Sequence, residues 1–176
     1  TNITVKGCGE FEGYANRDSL KYRETYGLAG VRTMLRGTLR NKGFCSAWNV
    51  LVQLGCCDDT YLMEGIDALT HREFIDSFLG FLPSATTEQR LCNTFGLALD
   101  GEEMKRLRWS ELFSDERIGL SRGTPAQILE HILSKKWKLN TGDKDLIVMW
   151  HRFVFELNGK SREITAQLAV AGADEM

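Results

Sequence analysis

Hydrophobic spacing divides the chain into strand-like ends and a helical middle. Asp18-Ser19 offers an N-cap for a short helix through Tyr26, with Gly27 as its stop. Residues 31–36 alternate, Val31, Thr33 and Leu35 against Arg32, Met34 and Arg36, and read as a short strand. Over residues 43–54 the period lengthens. Phe44, Ala47, Trp48, Leu51 and Leu54 share one helical face, and Gly55 stands where a helix stop belongs. Thr70-His71-Arg72-Glu73 has the form of a capping box ahead of Phe74, Ile75, Phe78 and Leu79. Residues 87–97 and 102–113 carry two more helical patterns. Thr124-Pro125 is an N-cap followed by proline at the first helical position. The helix it opens carries Ile128, Leu129, Ile132 and Leu133 and is expected to end near Trp137.

The period then shortens to two. Residues 145–157 place Ile147, Met149, His151, Phe153 and Phe155 on one face of a strand. Asn158-Gly159 is a strong two-residue hairpin signal, and residues 164–170 supply the return. The expected fold is therefore α+β: a mixed sheet formed by N- and C-terminal strands that meet in space, with a helical excursion between them. His151 is expected to be buried and hydrogen-bonded. His71 is expected at the surface of its capped helix.

Composition narrows the functional classes. A formal net charge of −2 provides no broad basic field to gather nucleic acid, and Lys135-Lys136-Trp137-Lys138 reads as a solvated helix end. No apolar run approaches a membrane span. The first residues show no signal peptide, and the start without Met points to a piece of a longer chain. The five cysteines, Cys8, Cys45, Cys56, Cys57 and Cys92, are odd in number and irregular in spacing, so reduced thiols are expected. The three histidines form no zinc motif, and no metal site is expected. No Ser/His/Asp order can be argued, so no catalytic residue is assigned. Gly7-Cys8-Gly9 lacks the remaining glycine and the strand-to-helix setting of a dinucleotide loop.

The densest chemistry lies in residues 12–19 and 36–40. Asn16, Arg17, Ser19, Thr38 and Arg40 bring amides, hydroxyls and guanidinium forks, and a fork matches a carboxylate bidentately. A ligand with several carboxylates suits that equipment. The same residues also suit a plainer reading, in which Asp18 or Ser19 caps a helix and the arginines pair with surface glutamates.

The stretch E-G-Y-A-N-R-D-S-L-K-Y-R-E-T-Y-G-L (12–28), then T-M-L-R-G-T-L-R-N-K-G-F (33–44), resembles glutamate-forming saccharopine dehydrogenase. That family's pattern is close to E-G-Y-P-N-R-D-S followed by R-G-T-L-R-Y-K-G-F. Further along, Leu54-Gly55, Leu69-Thr70, Trp109 with Leu112-Phe113, K-D-L-I-V-M (144–149) and residues 164–172 are similar to later family segments. Ala15 stands where proline is usual, Asn41 where tyrosine is usual, Trp150 where arginine is frequent, and Ala171 where tyrosine is usual. These departures bear on substrate identity.

The resemblance implies an oxidoreductase that interconverts saccharopine with L-glutamate and 2-aminoadipate 6-semialdehyde using NAD or NADP. The cofactor would be held by a Rossmann domain outside this chain, and none by the chain alone, which would then not turn over by itself. It implies substrate contacts at Arg17, Thr38, Leu39 and Arg40, with Asn16 and Tyr14 as second choices and Arg17 and Arg40 as carboxylate clamps. Residues 1–57 would form the first part of a substrate-binding α+β domain, 58–139 a helical lobe, and 140–176 a hairpin returning to the substrate-binding sheet. The expected partners are a multi-carboxylate amino acid, the Rossmann domain of the same protein and a second copy in a homodimer. No nucleic acid or membrane is expected. Localisation would be cytoplasmic, or mitochondrial in an animal or protist bifunctional parent. The alternative is a non-catalytic ligand-binding or interaction module that keeps the fold.

Overall fold

The structure, a computed structural model, describes residues 1–16 and 18–172. It divides into two compact units, one of residues 1–42 with 139–176, the other of residues 43–138.

In the first unit, β1 (Asn2–Val5), β2 (Gly9–Ala15) and β3 (Gly37–Asn41) form an antiparallel sheet in that order. Gly7 and Gly9 take the left-handed φ values, 82° and 105°, that the β1–β2 turn requires. Between β2 and β3 the described residues form a single helical turn, α1 (Tyr22–Thr25). Its expected N-cap is displaced: Asp18 accepts from the Lys21 N–H at 3.4 Å, and Lys21 precedes the helix. The strand expected at 31–36 does not form. The Arg23 side chain instead binds the Ala29 and Val31 carbonyls, drawing that backbone into a loop.

Two 12-residue strands, β6 (Leu146–Leu157) and β7 (Lys160–Ala171), make a long hairpin. Its Asn158-Gly159 turn has positive φ at both residues, 54° and 69°, as a twist-matched two-residue loop demands. The α+β class and the helical excursion between strand regions are as expected. The pairing differs in detail. All strands run antiparallel, and β6–β7 is a ladder separate from β1–β2–β3. A side chain joins them: the Lys6 N–H donates to Gln167 Oε1 at 3.0 Å and Gln167 Nε2 donates to the Lys6 carbonyl at 3.0 Å, imitating a backbone pair. His151 is exposed and stacks on Phe153 with centroids 6.0 Å apart, contrary to the expected burial. The alternation placed it on the apolar face correctly, but that face carries no covering layer within this unit. Ile147, Phe153, Ile164 and Leu168 stay about half exposed.

The second unit holds the core. It contains α2 (Phe44–Leu54), β4 (Met63–Glu64), α3 (His71–Asp76), α4 (Thr87–Phe95), α5 (Glu102–Trp109), β5 (Arg122–Gly123) and α6 (Pro125–Trp137). Helix α2 belongs here by its packing: Val50 and Leu51 join Phe74, Met104, Leu112, Ile128 and Ile132 in one buried cluster. Three helix starts satisfy their free N–H groups with reciprocal capping boxes, Thr70 with Glu73, Thr86 with Gln89 and Thr124 with Gln127. Thr124 also donates to Asp59 at 2.6 Å, pinning the loop between α2 and β4. His71 is buried, with Nδ1 3.1 Å from the Glu111 carbonyl and 3.0 Å from Ser114 Oγ. That corrects the surface placement expected from its position next to the cap.

Two outcomes follow. Thr124→Ala removes a cap and an inter-loop bond and is expected to lower unfolding free energy by about 1–2 kcal/mol in urea titration. Thr124→Ser should recover most of it, and equal losses in both variants would show that the hydroxyl is not responsible. Burial pushes the Cys56 thiol from 9.0 up to about 12, with neighbouring Cys57 adding to the shift. A thiol kept protonated by folding contributes stability that is complete below pH 9 and is lost as pH rises toward 12. Replacing Cys56 with alanine should flatten stability across that window, measured by denaturation at successive pH values. An unchanged alkaline slope would assign the loss to other groups.

Candidate functional site

The candidate face is built on β2 and β3. In their register Glu12 pairs with Arg40, Gly13 with Leu39 and Tyr14 with Thr38. Residues directly opposite in an antiparallel pair project to the same side. Glu12, Tyr14, Thr38 and Arg40 therefore share one face, while Gly13 and Leu39 lie on the reverse. Gly37 permits this approach: a Cβ there would stand 2.5 Å from the Tyr14 carbonyl oxygen.

Asn16 follows β2 and closes the end of the face. Its Oδ1 accepts from Thr38 Oγ1 at 2.9 Å, and its backbone N–H donates to the Arg36 carbonyl at 2.9 Å. Ser19 Oγ donates to the same carbonyl at 3.4 Å. The Arg36 guanidinium carbon lies 3.7 Å from the centre of the Tyr22 ring, a cation–π contact, and Tyr22 stacks on Tyr26. Arg40 Nη1 donates to the Leu39 carbonyl at 3.3 Å. Beside them Lys42 is held by Glu10 at 2.5 Å, and that hydrogen bond, then the carboxylate charge, raises its pKa.

Tyr14, Asn16, Thr38 and Arg40 are thus brought together. Leu39 is not. Its side chain covers Gly13 with Ile3 on the opposite face, so any contact it offers the site comes from its backbone. Arg17 lies outside the described residues. Arg36 and Tyr22 are additions to the set expected from sequence. The alternation of 36, 38 and 40 was a readable signal for Arg36, obscured by the strand expected just before it. The face presents a phenol, a hydroxyl, an amide and the Arg40 guanidinium, with the Glu12 carboxylate directly opposite Arg40; a guanidinium fork is suited to a carboxylate.

Other candidates resolve into structural roles. Gly7-Cys8-Gly9 forms a strand-to-strand turn, with the Cys8 N–H donating to the Val5 carbonyl at 3.0 Å. Lys135 and Lys136 pair with Glu116 and Glu111 at 2.8 and 2.6 Å. The Lys135 hydrogen bond, then its charge, holds the Glu116 carboxyl below its usual value. His131 Nε2 lies 3.0 Å from the Ile118 carbonyl. Among the described residues no cluster of His, Cys, Asp or Glu is placed to hold a metal ion, and no helix is long and apolar enough to cross a membrane.

Comparison with known proteins places this architecture. Residues 1–176 match the family model described as saccharopine dehydrogenase C-terminal domain. The chain is 34% identical over 168 residues to the mitochondrial alpha-aminoadipic semialdehyde synthase of Rattus norvegicus, covering 92% of this chain and 18% of that protein. It is 32% identical over 171 residues to saccharopine dehydrogenase (NADP(+), L-glutamate-forming) of Pyricularia oryzae, covering 93% of this chain and 37% of that protein. The chain thus spans well under half the length of these relatives. The solved apo saccharopine dehydrogenase (L-Glu forming) from Saccharomyces cerevisiae shares the fold with a TM-score of 0.78 at 24% identity, over 98% of this chain and 40% of that one. A resemblance first carried by E-G-Y-A-N-R-D-S and R-G-T-L-R therefore extends over the full length, and the chain belongs to the saccharopine dehydrogenase C-terminal domain family.

Proposed function

We propose that this chain is the substrate-binding portion of a saccharopine dehydrogenase. That enzyme interconverts saccharopine with L-glutamate and 2-aminoadipate 6-semialdehyde using NAD or NADP. The observation that carries the reading is the Thr38–Asn16 bond closing a face that also presents Glu12, Tyr14 and Arg40, with Arg36 held over Tyr22 in the adjoining loop. Saccharopine is a multi-carboxylate amino acid, and guanidinium forks flanked by neutral donors discriminate such ligands by charge and geometry. Arg17 and Arg40 are assigned the carboxylate clamps, with Thr38 adding a hydroxyl or backbone donor, the hydroxyl only by exchanging its bond to Asn16.

The described residues do not fit a dinucleotide. The one G-x-G segment is a β-turn, and α2, which follows the β2–β3 pair in sequence, begins at Phe44 after Gly43 without a glycine-rich loop. The nicotinamide is therefore assigned to the remainder of a longer protein, and this chain's residues bind and orient substrate. Localisation would follow the parent: mitochondrial for one of the animal synthase type, cytoplasmic otherwise.

The test uses the full-length protein. Arg17→Ala and Arg40→Ala should each raise the KM for saccharopine by at least about tenfold, with the KM for the nicotinamide cofactor unchanged. An unaltered saccharopine KM would remove that arginine from the site. No NAD(P)-linked turnover of saccharopine by the intact protein would favour a non-catalytic binding module.

The apolar β6–β7 face supports a second assignment, to a contact with the rest of the protein or a second copy. The isolated chain should therefore self-associate at high concentration in light scattering. Paired Phe153→Lys and Ile164→Lys changes should return it to monomer, and a wild-type monomer throughout would count against the assignment.

A further inference from the structure

A groove of about 460 Å³ opens beside the core of the second unit, lined by Trp48, Cys57, Leu129, Glu130, Leu133 and Trp137. Positions 129, 130, 133 and 137 form one stripe of α6 because three- and four-residue spacings stack on a helix face. The Trp48 and Trp137 rings stand with centroids 6.1 Å apart and planes tilted by 38°, so their faces diverge like an opened hinge. Phe44 backs Trp48 in a near-parallel stack at 5.7 Å. Trp137 as a residue is 45% exposed.

The charge of this groove is one-sided. Glu130 is its anion, and among the described residues no cation is paired with it. The neighbouring helix lysines are committed elsewhere, Lys135 to Glu116 and Lys136 to Glu111. Cys57 is half-buried, and burial raises its thiol pKa, so it adds no charge near neutrality. Indole faces attract cations through the ring quadrupole, and tryptophan does so best. A carboxylate beside two such faces selects the same sign. Leu129 and Leu133 supply apolar floor for a stem. A second cleft of comparable size, near Gln89, Asn93 and Leu97, is lined by neither an aromatic ring nor a charge.

We propose that the groove binds a small alkylammonium ligand, its cation against Trp137 and Glu130 and its aliphatic stem on Leu129 and Leu133. The volume suits a ligand the size of a diamine or a dibasic amino acid. The site is separate from the β2–β3 face, and the inference does not rest on the dehydrogenase reading.

The test titrates the full chain with butylammonium chloride and follows the indole N–H signals by NMR, with sodium chloride at equal ionic strength as the blank. Saturable shifts of Trp48 and Trp137, with Trp109 and Trp150 unmoved, are expected. Glu130→Gln should weaken binding about tenfold. Trp137→Leu should weaken it comparably, and both variants should keep the wild-type unfolding midpoint. Equal affinity for uncharged butanol would overturn the proposal by showing an apolar groove indifferent to charge. Shifts that do not saturate by about 100 mM amine, or that persist fully in Glu130→Gln, would overturn it as well.

Discussion

A side chain at position 37 would bring its Cβ to 2.5 Å from the Tyr14 carbonyl oxygen, closer than non-bonded atoms tolerate. Glycine there lets β3 lie against β2 in one register, and that register decides which groups meet. Because strand side chains alternate, a slip by one residue would turn Thr38 and Arg40 to the reverse face and bring Leu39 forward. The Asn16 amide then secures the end of the pair through both its side chain and its backbone. The arrangement of the candidate face thus depends on a missing methyl group at position 37.

The two units are held by different means. The helical unit owns a continuous dry cluster from Val50 to Leu133, and its helix starts at Thr70, Thr86 and Thr124 are capped without help from elsewhere. The strand unit buries little, with Val5 and Phe11 its deepest apolar residues. Its order comes from ladders, from Arg23 gathering loop carbonyls, and from the Gln167 bridge. Hydrogen bonds of this kind fix geometry well but add modest net stability when water competes. The surface that carries the candidate site therefore lies on the less self-sufficient unit.

The helices were legible because their signals are local. A capping threonine and a repeat of three and four residues lie within one window, and Thr70, Thr124 and Gly55 marked boundaries that the structure keeps. The β6–β7 hairpin was legible for the same reason, through Asn158-Gly159. Strands β1 to β3 were not. They are short, and glycines at 7, 9, 13 and 37 interrupt their alternation, so the stronger pattern at 31–36 drew the assignment. Burial was the other failure. His71 is carried inside by distant partners, Glu111 and Ser114, and His151 lies on an apolar face that its own unit leaves uncovered. Periodicity gives the face a residue occupies, while tertiary context decides whether anything covers it. The candidate site was legible as a set of residue types, and the split between Thr38 and Leu39 became visible only with the register.

The Gln167 amide connects residues 161 positions apart in the chain. Closing a loop costs entropy that grows with the logarithm of its length, and a helical unit of nearly a hundred residues lies inside this one. The hairpin closes across two residues and the helices form within single windows, both early events on the folding timescale. Collapse of residues 43–138 then shortens the effective loop that separates Lys6 from Gln167. The contact between the β1–β2 turn and the hairpin therefore carries the largest closure cost in this unit, and condensation of the middle of the chain lowers it.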